Sequence, residues 1–263
     1  MQSLRSLSGA AIVCLLALVG LAGCGGPSSP LASQPTPIPT HTPYPTPTPT
    51  LTVPSHAVSF TTSDHILLGG LWFGAGKTVV IFSNQTDTTA GDWTPIAQQF
   101  AARGYAALCY DYRGRGSSQG TRAYGPDLMT DLRAAIAFAQ RQGAQRIALV
   151  GASLGGAVTA NAAAGPGADV AAVAIISAPG DFPQVEVGAP TMAAIAAPKL
   201  LMNSAGDSYA PQTQAMYDEA HQPKTLKFYP GVDHGLALLL GSNGPDAMRR
   251  LLAFMAQYAP PTA

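Results

Sequence analysis

From residue 78 onward, apolar runs of five to eight residues alternate with longer Ala-rich stretches of helical period. Segments 78–82, 146–150, 170–177 and 199–203 are near-continuous apolar runs, the pattern of strands buried on both faces, and 225–229 reads as one further strand. Segments 127–142, 155–164 and 245–258 space their apolar residues as helices do. Strand and helix in alternation predict a mostly parallel, doubly wound α/β sheet with helices on both faces. The roughly 209 residues from 55 to 263 suffice for one such domain with a substantial core. No internal repeat interrupts it.

The N-terminal pattern differs. Arg5 precedes an apolar run over 10–22, the length of a signal-peptide core and short of the roughly 20 residues that span a membrane. It ends in Leu21-Ala22-Gly23-Cys24, which resembles a bacterial lipobox. That resemblance implies a signal peptide over 1–23, lipid attached to the Cys24 thiol, and cleavage just before it. A diacylglyceryl group brings two chains, as stable membrane anchoring requires. Residues 24–54 then form a tether dominated by Pro and Thr. Repeated proline forbids helix and ladder and favours extended polyproline II, so the tether can reach up to about 90 Å. The expected location is extracytoplasmic, on the membrane.

Composition narrows the partners. The 14 basic and 14 acidic residues balance, and loss of the leader removes only Arg5. Such a balance offers no electrostatic case for nucleic acid. Of three cysteines, Cys14 leaves with the leader and Cys24 is taken by lipid, so Cys109 stands alone as a small buried hydrophobe without a disulfide partner. No Cys/His cluster or acidic calcium-loop spacing points to a metal, and no cofactor is expected. Gly74-Ala75-Gly76-Lys77-Thr78 imitates the end of a phosphate-binding loop, but Leu71 occupies the place of the required first glycine. The segment also leads into a strand and not a helix. Nothing in the sequence fixes an oligomeric state.

The chemistry lies in Gly151-Ala152-Ser153-Leu154-Gly155, a G-x-S-x-G placed directly between a buried strand and a helix. A serine on so sharp a turn needs small neighbours, and the following helix points free N–H groups at the site. A serine nucleophile needs a base and a group to orient it, here in the order Ser…Asp/Glu…His. Asp207 follows the run 199–203, and His234 lies in the turn after 225–229. Loops at strand C-termini converge on one edge of a parallel sheet. His234 would take the Ser153 proton, and Asp207 would hold the imidazole. Asp181, after 170–177, is the rival acid. The other histidines compete poorly: His41 and His56 lie in or beside the tether, His65 in an early hairpin and His221 in a polar helix-end segment. Asp233 reads as a turn former, and Arg113 and Arg115 as loop-stabilising or solvated.

Together these residues resemble the α/β-hydrolase superfamily over roughly 58–258. Residues 77–82 correspond to its third strand, 93–104 to the next helix and 105–110 to its fourth strand. Asp111-Tyr112-Arg113-Gly114-Arg115-Gly116-Ser117 matches its D-x-R-G-x-G-x-S loop. The resemblance implies that fold, with Ser153, Asp207 and His234 as nucleophile, acid and base. It departs at Phe82-Ser83-Asn84-Gln85, where the family places His-Gly. Asn84 tolerates the positive φ of that glycine, which leaves the backbone N–H of Gln85 as one oxyanion donor and that of Leu154 as the other. The Asn84 side chain is a further candidate donor.

The function implied is hydrolysis of a small-molecule carboxylic ester through an acyl-enzyme. An exopeptidase or amidase of the same fold, and a non-catalytic binding module that kept it, stay open. Only 21 residues, 178–198, are available for a lid, and four prolines cut them, so at most a short helix around 191–196 is expected. A lidless site presents little apolar wall, which favours short, soluble acyl groups.

Overall fold

A computed structural model describes residues 53–262; the leader, Cys24 and the tether up to residue 52 lie outside the described residues. Eight strands form one sheet in the order β1-β2-β4-β3-β5-β6-β7-β8. They are β1 Ser55–Thr61, β2 Leu67–Phe73, β3 Thr78–Ser83, β4 Ala106–Tyr110, β5 Arg146–Ala152, β6 Ala172–Ile176, β7 Lys199–Ser204 and β8 Lys224–Tyr229. β2 pairs antiparallel with both β1 and β4, and every pairing from β4 to β8 is parallel. This is the α/β-hydrolase fold.

The alternation of side chains explains why the central strands read as unbroken apolar runs. Val79 and Ile81 of β3, Ile147 and Leu149 of β5, Val173 and Ile175 of β6 and Leu201 of β7 enter one core. Their neighbours Val80, Phe82, Ala148, Val150, Ala174, Ile176, Leu200 and Met202 enter the other. A strand buried on both faces keeps its middle apolar and confines polar residues to its ends, as Thr78 and Ser83 do on β3 and Lys199, Asn203 and Ser204 on β7. The first core is covered by α2 Asp127–Arg141, α3 Leu154–Ala164, α4 Ala189–Ala194 and α5 Ala210–Glu219; the second by α1 Thr94–Ala101, α6 Leu236–Leu240 and α7 Gly244–Tyr258. In α7 the buried residues Ala247, Met248, Leu251, Phe254 and Met255 repeat at helical spacing and face the sheet, as the sequence pattern predicts.

At β8, an edge of the sheet, Lys224 and Lys227 lie on an incompletely buried strand, an arrangement that discourages pairing with another chain. Residues 74–77, the phosphate-loop imitation, connect β2 to β3 and open no helix. The segment 178–198 carries the single helix α4, two residues earlier than the sequence suggests. Its Val185, Val187, Met192 and Ile195 are buried in the first core, so the segment folds down onto the domain and does not stand as a cover. Among the described residues, no helix is long and apolar enough to cross a membrane.

Candidate active site

Ser153 sits between the end of β5 and the start of α3 with φ 51° and ψ −123°, a conformation that costs a non-glycine residue energy. The surroundings enforce it. Its N–H donates to the Ile176 carbonyl at 2.8 Å, and its carbonyl accepts from Gly156 at 2.8 Å. A Cβ at Gly151 would collide with the Gly155 carbonyl, and one at Gly155 with the carbonyls of Ser83 and Asn84. The glycines of the motif therefore let the elbow close on itself and let α3 begin hard against the end of β3.

The hydroxyl of Ser153 lies 2.7 Å from His234 Nε2, and His234 Nδ1 lies 2.6 Å from Asp207 Oδ2. The Asp207 side chain is only 2% exposed, whereas that of His234 is 34% exposed. The remaining Asp207 oxygen, Oδ1, accepts the Tyr209 N–H at 2.7 Å, which fixes the carboxylate from both sides. The acid and base loops are themselves sewn together. Ala205 N donates to the Tyr229 carbonyl at 2.7 Å and Gly206 N to Gly231 at 2.9 Å. Ser204 Oγ donates to the Asp233 carbonyl at 2.7 Å. The parallel β7–β8 ladder thus continues past the strands and delivers acid and base to one place. The Tyr209 ring flanks the imidazole at 5.5 Å between centroids.

Asp181 lies elsewhere: its carboxylate accepts from Gln212 Nε2 at 3.0 Å and does not meet His234. Of the other histidines, His65 sits in the β1–β2 turn, and the His221 carbonyl accepts from the buried Lys199 ammonium at 2.8 Å.

On the β3 side the backbone N–H groups of Gln85 and Leu154 have no acceptor among the described residues, and they flank the close contact between Gly155 and the 83–84 carbonyls. The reading of Asn84 needs correction. It does not adopt a positive φ, and its fully buried side chain donates through Nδ2 to the Tyr110 carbonyl at 2.7 Å. The amide turns inward to tie β3 to β4 and is not presented to the site. Gln85 contributes a contact that local sequence does not suggest. Its Oε1 accepts the Leu236 N–H at 3.0 Å and fills the space beside Gly235, so it latches the start of β3's loop to the histidine loop.

The D-x-R-G-x-G-x-S loop is organised by its first residue. Asp111 accepts from the Ala90 N–H at 2.7 Å through Oδ1, and from both N–H and Oγ of Ser117 at 2.8 Å through Oδ2. Arg113, two residues on, is 6% exposed and fully paired. It meets Asp131 at 2.8 Å and Asp64 at 2.7 Å, with Asp127 at 3.7 Å. Burial opposes its charge, but the Asp131 and Asp64 carboxylates outweigh that and hold its pKa above the ordinary arginine range.

Arg115 is 7% exposed and has no carboxylate within ion-pair reach, so it is not the solvated residue the sequence allowed, while its contacts within the loop fit the loop-stabilising reading. Its Nη2 donates to the Ala123 carbonyl at 3.1 Å, while Nε and Nη1 have no partner. Burial lowers its pKa, and the charge of Arg122 adds to the effect. Among the described residues no His/Cys/Asp/Glu group could hold a metal ion.

The arrangement can move a proton from the serine hydroxyl to the imidazole, whose charge the buried Asp207 carboxylate supports. Comparison with known proteins agrees with the architecture. The model of the family described as serine aminopeptidase, S33, matches residues 74–200, from the β2–β3 turn to the start of β7. The match stops short of Asp207 and His234. A Pyrococcus furiosus esterase superposes with a TM-score of 0.70 at 17% identity, over 78% of this chain and 91% of its own. The esterase domain of a Rhodothermus marinus protein gives 0.60 at 22% identity, over 78% and 99%. A Mycobacterium smegmatis proline iminopeptidase gives 0.63 at 14% identity, over 77% and 98%. Among curated proteins none matches the chain. The chain has the α/β-hydrolase fold and, in Ser153, His234 and Asp207, the triad arrangement of a serine hydrolase.

Proposed function

We propose that this chain hydrolyses short-acyl carboxylic esters through a covalent acyl-enzyme. The observation that carries the reading is the continuous hydrogen-bonded line from Ser153 Oγ through His234 to Asp207, at 2.7 and 2.6 Å. Ser153 Oγ attacks the ester carbonyl carbon while its proton passes to His234 Nε2. The negative oxygen of the tetrahedral intermediate accepts from the Leu154 and Gln85 N–H groups. The bond to the alcohol oxygen then breaks, and the alcohol leaves with the proton from His234. A water molecule attacks the acyl carbon, gives its proton to His234, and the serine leaves with that proton as the acid is released. Asp207 keeps Nδ1 protonated and stabilises the imidazolium at each transfer.

The preference for short acyl groups is supported by the placement of residues 178–198. Val185, Val187, Met192 and Ile195 are spent on the core, so these residues offer no apolar canopy for a long chain. Each methylene left unburied forgoes about 0.8 kcal/mol. In a p-nitrophenyl ester series kcat/KM should fall beyond about six to eight acyl carbons, with no activation at a lipid interface. A maximum at palmitate would overturn the preference.

Amide cleavage is the second reading, favoured by the family model's description and by the iminopeptidase among the similar structures. An aminopeptidase must hold a substrate ammonium. The cavity beside the Gln85 loop instead carries two arginines and a single aspartate, which disfavours a cation. Amino-acid p-nitroanilides turned over faster than esters of equal size would reverse this choice.

The lipobox-like sequence supports export and anchoring at Cys24, with the Pro/Thr-rich tether holding the hydrolase away from the membrane. Fatty-acid labelling in a bacterial host should mark the wild type and not Cys24→Ser; equal labelling would remove the anchor.

A further inference from the structure

A cavity of about 300 Å³ lies between the loop that leaves β3 and the loop that leaves β4, lined by Thr86–Thr89, Gly114–Gly116 and Arg122. Its first wall residue, Thr86, is bonded directly to Gln85, whose N–H faces the reaction in the mechanism above. Arg115 forms part of its wall. That guanidinium has lost almost all its hydration without gaining an anion, since no carboxylate pairs with it and two of its nitrogens have no acceptor. One carbonyl, that of Ala123 at 3.1 Å, and two rings hold it: its Cζ lies 5.5 Å from the Tyr112 ring centroid and 5.1 Å from that of Tyr124.

A folded protein rarely keeps a buried charge unpaired, because the desolvation penalty goes uncompensated. Arg113, in the same loop and equally buried, shows the ordinary solution with three aspartates around it. Arg122 stands on the other side of Tyr124, its Cζ 5.3 Å from the ring, and is partly neutralised by Asp87 at 2.8 Å. The lining therefore carries two positive charges and one negative, a balance of +1. With Arg115 sealed from water, its field acts on the cavity through low-dielectric protein and is little screened there.

We propose that this cavity is a carboxylate subsite, and that the substrate is an ester bearing a second, ionised carboxyl group some distance from the reacting carbonyl. The single positive charge suits a monoanion better than a phosphate dianion. Arg122, exposed at the rim, supplies the direct contact. Arg115 beneath it supplies the uncompensated charge, and the Thr86, Thr88 and Thr89 segment supplies polar lining. This deepens the esterase reading and rests on it.

Two pairs of esters of matched size test the proposal and locate the charge. Ethyl hexanoate against monoethyl adipate places the carboxylate on the acyl side. Phenyl butyrate against 4-(butyryloxy)benzoate places it on the leaving side. In at least one pair the charged ester should have a kcat/KM about tenfold higher or more, a preference that shrinks as salt rises. The ratio of charged to neutral should fall toward one in Arg115→Met and fall partway in Arg122→Gln, whose side chain is exposed and not part of the core. Binding gives a readout independent of turnover: adipate should raise the melting temperature of Ser153→Ala and do so less in Ser153→Ala/Arg122→Gln. Equal or lower kcat/KM for both charged esters, or a preference untouched by both arginine substitutions, would overturn the subsite. Failure of every ester with adipate still binding would instead strike the esterase reading and leave the subsite standing.

Discussion

The two ends of the sheet's catalytic edge treat their polar groups in opposite ways. Where β7 and β8 end, the hydrogen-bonding groups that place acid and base are matched: Ser204 with the Asp233 carbonyl, Gly206 with Gly231, and both Asp207 oxygens with His234 and Tyr209. Where β3 and β4 end, matched and unmatched groups sit side by side. Asp111 and Arg113 are fully engaged, whereas the N–H of Gln85 and two nitrogens of Arg115 are left open. Buried donors without partners are costly, so they persist where something else supplies the partner. The paired groups build the apparatus; in the proposals above, the open Gln85 N–H and the Arg115 guanidinium are the groups that face substrate oxygens.

The comparison can be broken most directly at the matched end. Asp207→Asn should lower kcat by about 10⁴-fold, because the imidazole loses the partner that sets its tautomer. Asp181→Asn, whose carboxylate meets only Gln212, should change kcat by less than about twofold, as for a surface substitution. Steady-state kinetics with a short ester checks both, and the reverse order would relocate the acid.

At the other end the largest expected effect is on stability. Arg113→Met strands the fully buried Asp131 carboxylate and should destabilise the domain by about 3–5 kcal/mol in urea unfolding. A loss below about 1 kcal/mol, the range of an exposed ion pair, would mean that this arginine is not the keystone of its loop. Gln85→Ala removes the latch to Leu236 and leaves that N–H without its acceptor, a cost of about 1–3 kcal/mol. It should appear as a drop in kcat of about tenfold with KM little changed, because it displaces both the oxyanion backbone and the histidine loop.

The smallest effect is that of Asp64. Its hydrogen bonds to Arg113 hold its carboxyl at about 2, below the usual 3.8, although the side chain is 46% exposed. A depressed carboxyl stabilises the fold above its ordinary pKa and stops doing so as pH falls toward 2. Asp64→Asn should therefore cost about 1 kcal/mol or less at pH 7 and flatten the acid limb of the stability profile between about pH 4 and 2.

The matched end was legible in the sequence because its information is local. Apolar runs end in Gly206-Asp207 and Asp233-His234, and the parallel topology brings such loops to one edge. The elbow was equally legible, since glycine at 151 and 155 reports a steric demand. The other end depends on partners far apart along the chain. Gln85 meets Leu236, Arg113 meets Asp64, and Asn84 turns toward Tyr110, none of which a local pattern encodes. Asn84 was read as a substitute for glycine because its chemistry permits left-handed backbone. The buried tie to β4 prevailed, and the loop was closed by a side-chain bond instead. The isolation of Arg115 is a three-dimensional fact: its sequence neighbours Tyr112 and Arg113 look alike whether or not a carboxylate folds back to meet it.

The most direct test of the triad is covalent. A fluorophosphonate reacts with a serine only when a neighbouring base activates it and an oxyanion site accepts the developing charge. Incubation of the full chain with such a probe, digestion and mass spectrometry should place the adduct on Ser153, with labelling abolished in Ser153→Ala and severely slowed in Asp207→Asn. A folded wild-type protein that stays unlabelled, or an adduct on another serine, would contradict the assignment of Ser153, His234 and Asp207 as a working triad.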